Sequence, residues 1–331
     1  MENLLPFERV QRKVFVKKES ETNWGYGQDP NKRDVEELIN YGIINTNKQE
    51  GPSSHQFADY IKKILNVKKV GHSGTLDPKV TGVLPIALGR ATRIVQTLLK
   101  SGKEYIALMH LHKQVDNGLV YKTFNEFLGK IKQLPPVRSA VKRQLRTREI
   151  YYLEILEINN QDVLFKVGCE AGTYIRKLIY NIGEKLNTGA NMQQLVRTKV
   201  AMFNDKSWKT LHDLKDAYYL YKEEDNEKEI RKVILPIEEA VKHLPKVWVH
   251  DSAVSTLCHG ADLSIPGISI YNDFKKDGNI AIMTLKNELI CLGNSLEDYN
   301  FIKNNDKGKI IKTAKVFMER NLYPKKFIAK D

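Results

Sequence analysis

The sequence predicts an α+β chain of two domains, the larger built on a mixed sheet and the smaller on short strands. Three observations carry that expectation. At 331 residues the chain is longer than one typical domain. Up to about residue 240 strand-like and helix-like segments intermingle without a regular βαβ repeat, the pattern of an α+β fold. Beyond Pro245 the runs VWVH, LSIPGIS, NIAIMTL, ELICLG and KIIKTAKVFM follow one another between Gly, Asn and Asp, as in a small barrel or sandwich.

Taken in order, residues 1–40 are charged and interrupted by WGYGQDPNKRD, so they read as an extension that needs to dock to be ordered. YGIINTNKQEGPSSHQFADYIKKILN gives a short strand, a loop and a helix with Ser53 or Ser54 as its cap. Phe57, Tyr60, Ile61, Ile64 and Leu65 form its apolar stripe, and Ala91, Ile94, Val95, Leu98 and Leu99 form that of a second helix. KEYIALMHLH is a strand with Tyr105, Ala107, Met109 and Leu111 on one face. IYYLEILEI and DVLFKVGCE are strands joined by an NNQ turn, and GTYIRKLIYNIGEKL is a helix buried through Ile175, Leu178, Ile179, Ile182 and Leu186. The charged run 221–232 makes a solvated helix or linker.

Composition narrows the function. Hydrophobic residues at 41%, charged residues at 28% and a formal charge of +13 describe a globular protein suited to a polyanionic partner. No run reaches the roughly 18 apolar residues of a membrane span, and MENLLPFERVQRK is too charged for a signal peptide. The basic residues are dispersed, which favours nucleic acid over a membrane surface. The three cysteines Cys169, Cys258 and Cys291 are isolated, so a disulfide framework or a CxxC zinc site is not expected and a reducing compartment is. Walker, Rossmann, serine-elbow and HExxH patterns are missing.

The chemistry centres on VGHSGTLDPKVTGVLPIALGRATRI, which carries one carboxylate, Asp77, before Pro78. An Asp-Pro turn explains that acid by itself. Glycines at 71, 74, 82 and 89 allow close approach to a ligand, and Leu76, Val83, Leu84, Ile86 and Leu88 would supply a dry wall. A lone acid in such a wall serves as nucleophile or base. His72, Gly74 and Thr75 share this loop and are its substrate-facing candidates. Tyr105 reads as core or as a platform for a nucleobase. Arg176 points off its helix stripe, either solvated or as partner to a buried acid, with Tyr174 beside it. His110 and His112 alternate onto one face but find no third ligand of coherent spacing. Arg138, Lys142, Arg143, Arg146 and Arg148 crowd one segment and suit phosphate contacts that position an RNA.

GHSGTLDPKVTGVLPIALGRATRI resembles the signature of the TruB family of RNA pseudouridine synthases, and KEYIALMHL, GTYIRKLIYNIG and MQQLVRTKV resemble its next three motifs. The likeness is greater still to the archaeal and eukaryal branch, the dyskerin-type catalytic subunit of H/ACA guide ribonucleoproteins. ETNWGYGQDPNKR, PPVRSAVKRQLRTREIY and the stretches resembling a PUA RNA-binding domain extend it over essentially the whole chain. The resemblance implies a mixed-sheet pseudouridine synthase domain over 41–240 and a β-barrel-like PUA domain over 241–331, with residues 1–40 docked on the latter. It implies that Asp77 is the catalytic aspartate, that Tyr105 stacks on the target base and that Arg176 pairs with the acid. Tyr174 would contact the base, Leu195 close the pocket and His72 reshape the RNA. Asn191 and Ala201 depart from the histidine and glycine usual at those positions.

The implied reaction detaches uracil at N1 and rejoins it through C5, so it needs no cofactor and no metal. Glycoside hydrolysis needs two carboxylates to handle water; here uracil is retained and one acid suffices. The family also implies a box H/ACA guide RNA, an rRNA substrate, and three companions: a zinc-bearing Nop protein, a Gar protein and a kink-turn-binding ribosomal-type protein. Missing a lysine-rich tail, the chain reads as archaeal and cytoplasmic. A stand-alone tRNA synthase, a non-catalytic RNA scaffold and a carboxylate glycosidase are the rival readings.

Overall fold

The structure, a computed structural model, describes residues 3–136 and 142–325. The chain divides into two compact units, residues 1–9 with 44–234 and residues 10–43 with 235–331.

The second unit takes its first elements from the N-terminal segment: β1 (Val14–Val16), α1 (Val35–Tyr41) and β2 (Gly42–Ile44). Asp34 caps α1 by accepting from the Glu37 amide, and buried Arg33 is held bidentately by Glu238 at 2.7 and 2.8 Å.

The first unit begins with β3 (Asn47–Lys48) and α2 (Ser54–Ile64). Ser53 and Gln56 form a capping box at the start of α2, so the cap is Ser53, and Phe57, Ala58 and Ile61 face inward. Tyr60, expected on that stripe, is 43% exposed; three residues are enough to seat the helix. β4 (Val70–His72), β5 (Thr81–Val83) and β6 (Ile86–Leu88) follow, then a 3-10 turn over Gly89–Ile94 that runs into α3 (Val95–Leu99). The sequence stripe there predicts one helix; the chain instead divides it between two helical pitches.

β7 (Lys103–Leu111), α4 (Asn117–Glu126), β8 (Gly129–Gln133), β9 (Arg146–Asn159), β10 (Asp162–Cys169), α5 (Ile175–Lys185), β11 (Ala190–Val200) and β12 (Phe203–Asn204) complete the sheet region. Strand order is β3-β5-β11-β7-β10-β9-β8, with β12 folded back on β11. β5 and β11 run parallel while β11, β7, β10 and β9 are antiparallel in turn, so the sheet is mixed. Ala107, Met109 and Leu111 of β7 and Val163, Phe165 and Val167 of β10 pack on Ile175, Leu178, Ile179 and Ile182 of α5. Each of these side chains larger than alanine stabilises the fold by about 1.5–3 kcal/mol, enough to make this face a rigid base. The charged run 221–232 belongs to α6 (Leu211–Glu223) and α7 (Glu227–Val233), and Ile230 and Val233 bury one side of the latter.

The second unit continues with β13 (Leu235–Pro236), antiparallel to β2, then β14 (Lys246–Val249), α8 (Asp251–Cys258), β15 (Leu263–Ser264), β16 (Ile268–Asn272), β17 (Asn279–Thr284), β18 (Leu289–Ser295), α9 (Tyr299–Asn304) and β19 (Lys309–Val316). Its sheet runs β1-β16-β14-β17-β18-β19-β15 around a core that includes Val247, Val249, Ile280, Ile282, Ile290 and Ile310. Cys169, Cys258 and Cys291 are free and buried. No helix among the described residues is long and apolar enough to cross a membrane.

Gly82 makes the parallel pairing of β5 with β11 possible. It sits at φ +110°, and a Cβ there would lie 2.2 Å from the carbonyl oxygen of Arg197 and 2.7 Å from its nitrogen. Backbone cannot yield to that overlap cheaply. Gly82→Ala is therefore expected to destabilise the protein by about 2–4 kcal/mol, read as a lower denaturant midpoint. A loss under about 0.5 kcal/mol, the size of an ordinary surface change, would mean that the two strands are not locked together here.

Candidate active site

Asp77 lies in the loop between β4 and β5, and that loop is fixed from several directions. Gly74 takes φ +132°, which only glycine adopts readily. Leu76 and Val80 are buried on either side of the acid. Ser54, the first residue of α2, accepts from the Leu76 amide at 2.8 Å and donates to the Leu76 carbonyl at 3.1 Å. The Val80 amide donates to the Asp77 carbonyl at 2.9 Å, closing a turn. Fully buried Lys48 donates to the carbonyls of Pro78 at 3.1 Å and Val80 at 2.9 Å. Burial pushes the Lys48 ammonium down, against the attraction of Glu50 and Asp77.

The carboxylate itself is open. Its side chain is 55% exposed and that of Arg176, whose Nη2 donates to Asp77 Oδ2, is 59% exposed. This corrects the expectation of a dry wall around the acid. Leu76, Val83, Leu84, Ile86 and Leu88 are all buried, but they anchor the loop in the core and leave the acid group accessible. In this exposed setting an ion pair contributes only about 0–1 kcal/mol to stability, so the pair says more about placement than about folding. Arg176 stands in the first turn of α5, where the helix dipole disfavours a cation and no acid is present in that turn. The acid that answers it comes from a loop 99 residues away in sequence.

Tyr174 is the N-cap residue of α5 but offers no side-chain cap. Its backbone is clasped instead by buried Gln133 of β8, which accepts from the Tyr174 amide at 3.0 Å and donates to the Tyr174 carbonyl at 3.2 Å. The Tyr174 ring remains half-buried. Tyr105 is half-buried on β7, directly across from Arg197 of β11, and its phenol and the Arg197 guanidinium interact electrostatically across that pair. Burial raises the Tyr105 phenol above its ordinary range, with Arg197 acting the other way. Leu195, half-buried, sits two residues before Arg197 on the same strand.

His72 is half-buried, edge-on to His55 with ring centroids 4.8 Å apart, and its Nδ1 accepts weakly from the Gly74 amide at 3.4 Å. Thr75 is exposed. Of the basic segment, Arg138 lies outside the described residues. Lys142 and Arg143 are exposed, whereas Arg146 and Arg148 are half-buried. Arg148 is engaged with Glu170 at 3.4 Å. His110 and His112 have separate partners, Asp162 at 2.7 Å and Asn191 at 3.1 Å. Among the described residues no group of three His, Cys, Asp or Glu side chains is placed to hold a metal. The Ala201 position carries φ +50°, the left-handed backbone that suits glycine.

Four supporting residues escaped the sequence reading: Lys48, Lys103, Gln133 and Arg197. Lys103 is buried at the start of β7 and its ammonium donates to Leu98, Leu99 and Ser101 carbonyls at 3.0, 2.7 and 2.7 Å. Burial, with the charge of Arg197 behind it, pushes that ammonium down to about 7. The available signal was a charged residue inside an otherwise apolar strand, as in LVRTKV and SGKEYIALM.

Comparison with known proteins covers nearly all of this geometry. Residues 62–175 match the TruB family pseudouridylate synthase N-terminal domain, and 176–242 the tRNA pseudouridylate synthase B C-terminal domain. Residues 3–58 match the DKCLD (NUC011) domain and 245–317 the PUA domain. The "Probable tRNA pseudouridine synthase B" of Pyrococcus furiosus is 52% identical over 97% of this chain and 96% of its own length. Its counterpart in Nanoarchaeum equitans is 48% identical over 98% of this chain and 93% of its own length. A solved Cbf5-Nop10-Gar1 complex contains a chain 52% identical, with TM-score 0.93 over 97% of this chain and 98% of that one. An H/ACA RNP bound to a substrate RNA containing 2′-deoxyuridine contains one 49% identical, with TM-score 0.92 over 98% and 99%.

The imidazole of His72 yields a pH prediction. Burial first, then His55 and Arg197, hold it at about 4 against an ordinary 6.5. Between those values the unfolded chain binds the proton and the folded chain does not, so stability rises with pH through the window and is lost as pH falls through it. Melting temperatures of the native chain and of His72→Gln, compared from pH 4 to 6.5, should show a shallower slope in the variant. Parallel slopes would mean that this ring titrates normally.

Proposed function

The chain belongs to the TruB family of pseudouridylate synthases and isomerises uridine to pseudouridine in RNA; from that premise we propose that Asp77, Arg176, Tyr105 and Tyr174 carry the reaction. The observation that supports this most is the pairing of Arg176, in the first turn of α5, with the acid of a separately pinned loop.

The reaction breaks the bond between N1 and C1′, makes one between C5 and C1′, releases the C5 proton and places a proton on N1. Oxidation state does not change. Asp77 acts on the nucleoside by attacking C1′, by taking a C2′ proton or by adding to C6, and in every case Arg176 orients its carboxylate. The target base must first leave its stack, which costs a few kcal/mol. Stacking on Tyr105 offsets about 1–3 kcal/mol of this. Tyr174, fixed by Gln133, contacts the base and takes the C5 proton, and Leu195 closes the pocket. The open face of Asp77 fits this scheme, because the extruded nucleotide completes the walls and displaces the water.

On the same reading His72, Gly74 and Thr75 line the substrate, and Arg138, Lys142, Arg143, Arg146 and Arg148 meet RNA phosphates. Residues 41–240 form the catalytic domain and 241–331 the RNA-binding PUA domain, with the 1–40 extension docked on it. The pairing of β1 with β16 supports the docking. The chain acts in the cytoplasm with a box H/ACA guide RNA on rRNA, together with a Nop protein, a Gar protein and a kink-turn-binding protein. The similarity to chains solved with Nop10 and Gar1 and in an H/ACA RNP with substrate RNA supports the RNA, Nop and Gar partners; the kink-turn-binding protein rests on the family resemblance alone. A second substrate, tRNA, is favoured by the names of the curated relatives.

Asp77→Asn should lower tritium release from RNA carrying 5-tritiated uridine by about a thousandfold or more, with RNA affinity nearly unchanged. Turnover close to the native rate would remove Asp77 from the chemistry. Tyr105→Leu should slow the chemical step about 5- to 150-fold, the kinetic equivalent of one lost stack, while weakening RNA binding less. Equal losses in both would make the ring a structural residue.

A further inference from the structure

Arg197 is 1% exposed, and among the described residues no carboxylate pairs with it. Among the described residues the other buried guanidinium is handled differently: Arg33, 3% exposed, is neutralised bidentately by Glu238. A buried, uncompensated guanidinium is costly unless its donors are fully used. Arg197 engages three separate parts of the site. Nε donates to the Val83 carbonyl at 2.8 Å, Nη2 donates to the Gly74 carbonyl at 3.0 Å, and across the strand pair the guanidinium interacts with the phenol of Tyr105, the residue directly opposite. Gly74 lies in the loop that carries Asp77, Val83 ends β5, and Tyr105 is the proposed stacking ring.

We propose that Arg197 is a positioning residue for the isomerisation, one rigid planar donor set that fixes the Tyr105 ring relative to the loop carrying Asp77. This rests on the reading of Asp77 and Tyr105 given above. A lysine would keep the charge but not the geometry, because a single ammonium on a flexible stem cannot reproduce the fork. The hydroxyl of Tyr105 gains a purpose in this arrangement: stacking needs only the ring, while the hydroxyl is the handle by which the ring is set. The charge of Arg197 also contributes to lowering both His72 and Lys103, as expected of a guanidinium without a paired acid.

The test is a cycle of Arg197→Lys, Tyr105→Phe and the double variant in the full chain, by single-turnover tritium release from a tRNA transcript carrying 5-tritiated uridine. Each single change should cut the rate about 10- to 100-fold with RNA affinity held within about threefold, and the double should be no slower than the slower single. Multiplied losses, or Arg197→Lys at the native rate, would overturn the inference. Because a buried substitution can impair folding, the 3-fluorotyrosine-labelled protein supplies a readout without turnover. The fluorine line that vanishes in Tyr105→Phe should shift in folded Arg197→Lys, and an unmoved line sinks the proposal. Asp77→Asn, run alongside, separates the two failures. If it stays active the catalytic reading falls, whereas an inactive Asp77→Asn beside multiplied losses in the cycle removes Arg197 alone.

Discussion

The parallel contact between β5 and β11 is the constraint on which the site depends. It exists because residue 82 has no side chain, and the backbone of Arg197 occupies the space one would need. β5 ends the loop that carries the acid, and β11 lies beside β7, which carries Tyr105. Two candidate side chains, Asp77 and Tyr105, are thereby referred to one strand. The helix side of the site is tied in separately, through the packing of α5 on β7 and β10 and through the Gln133 clasp. What lies between is an exposed ion pair, held in place by its scaffold far more than by its own attraction.

Charge is arranged with a similar economy. Lys48, Lys103 and Arg197 are all buried, and each is satisfied mainly by neutral oxygen atoms, most of them backbone carbonyls. Lys103 caps the carboxyl end of α3, where carbonyls have no helical partners and a cation is favoured. Lys48 and Arg197 hold the two sides of the Asp77 loop. Positive charge beneath the loop and an accessible acid above it suit a polyanionic substrate, whose phosphates are attracted while one base is delivered.

Much of this was legible in the sequence. The stripe Ile175, Leu178, Ile179, Ile182 predicts α5 because helical periodicity is a local property, and all four residues are buried. The alternation through Ala107, Met109 and Leu111 gives β7 its buried face in the same way. Asp77 and Arg176 stand out as charges at odds with their surroundings. β11 was not legible as a strand: MQQLVRTKV has polar residues where a simple alternation would require apolar ones, and register shifts interrupt its pairing with β7. The burial of Arg197 was hidden as well, since its acceptors come from residues 74 and 83 and no local pattern announces them. The exposure of Asp77 is not legible for a related reason. Apolar neighbours in sequence say that a loop is anchored, but not which side of it the acid occupies.

The adjacent hydroxyls of Ser53 and Ser54 look to different masters, one to the opening turn of α2 and the other to both polar atoms of Leu76. The start of α2 is therefore one of the ties on the neighbouring loop, beside those from Lys48 and Arg197. The capping box that steadies the opening turn of α2 thus also steadies, through the next residue, the backbone one position before Asp77.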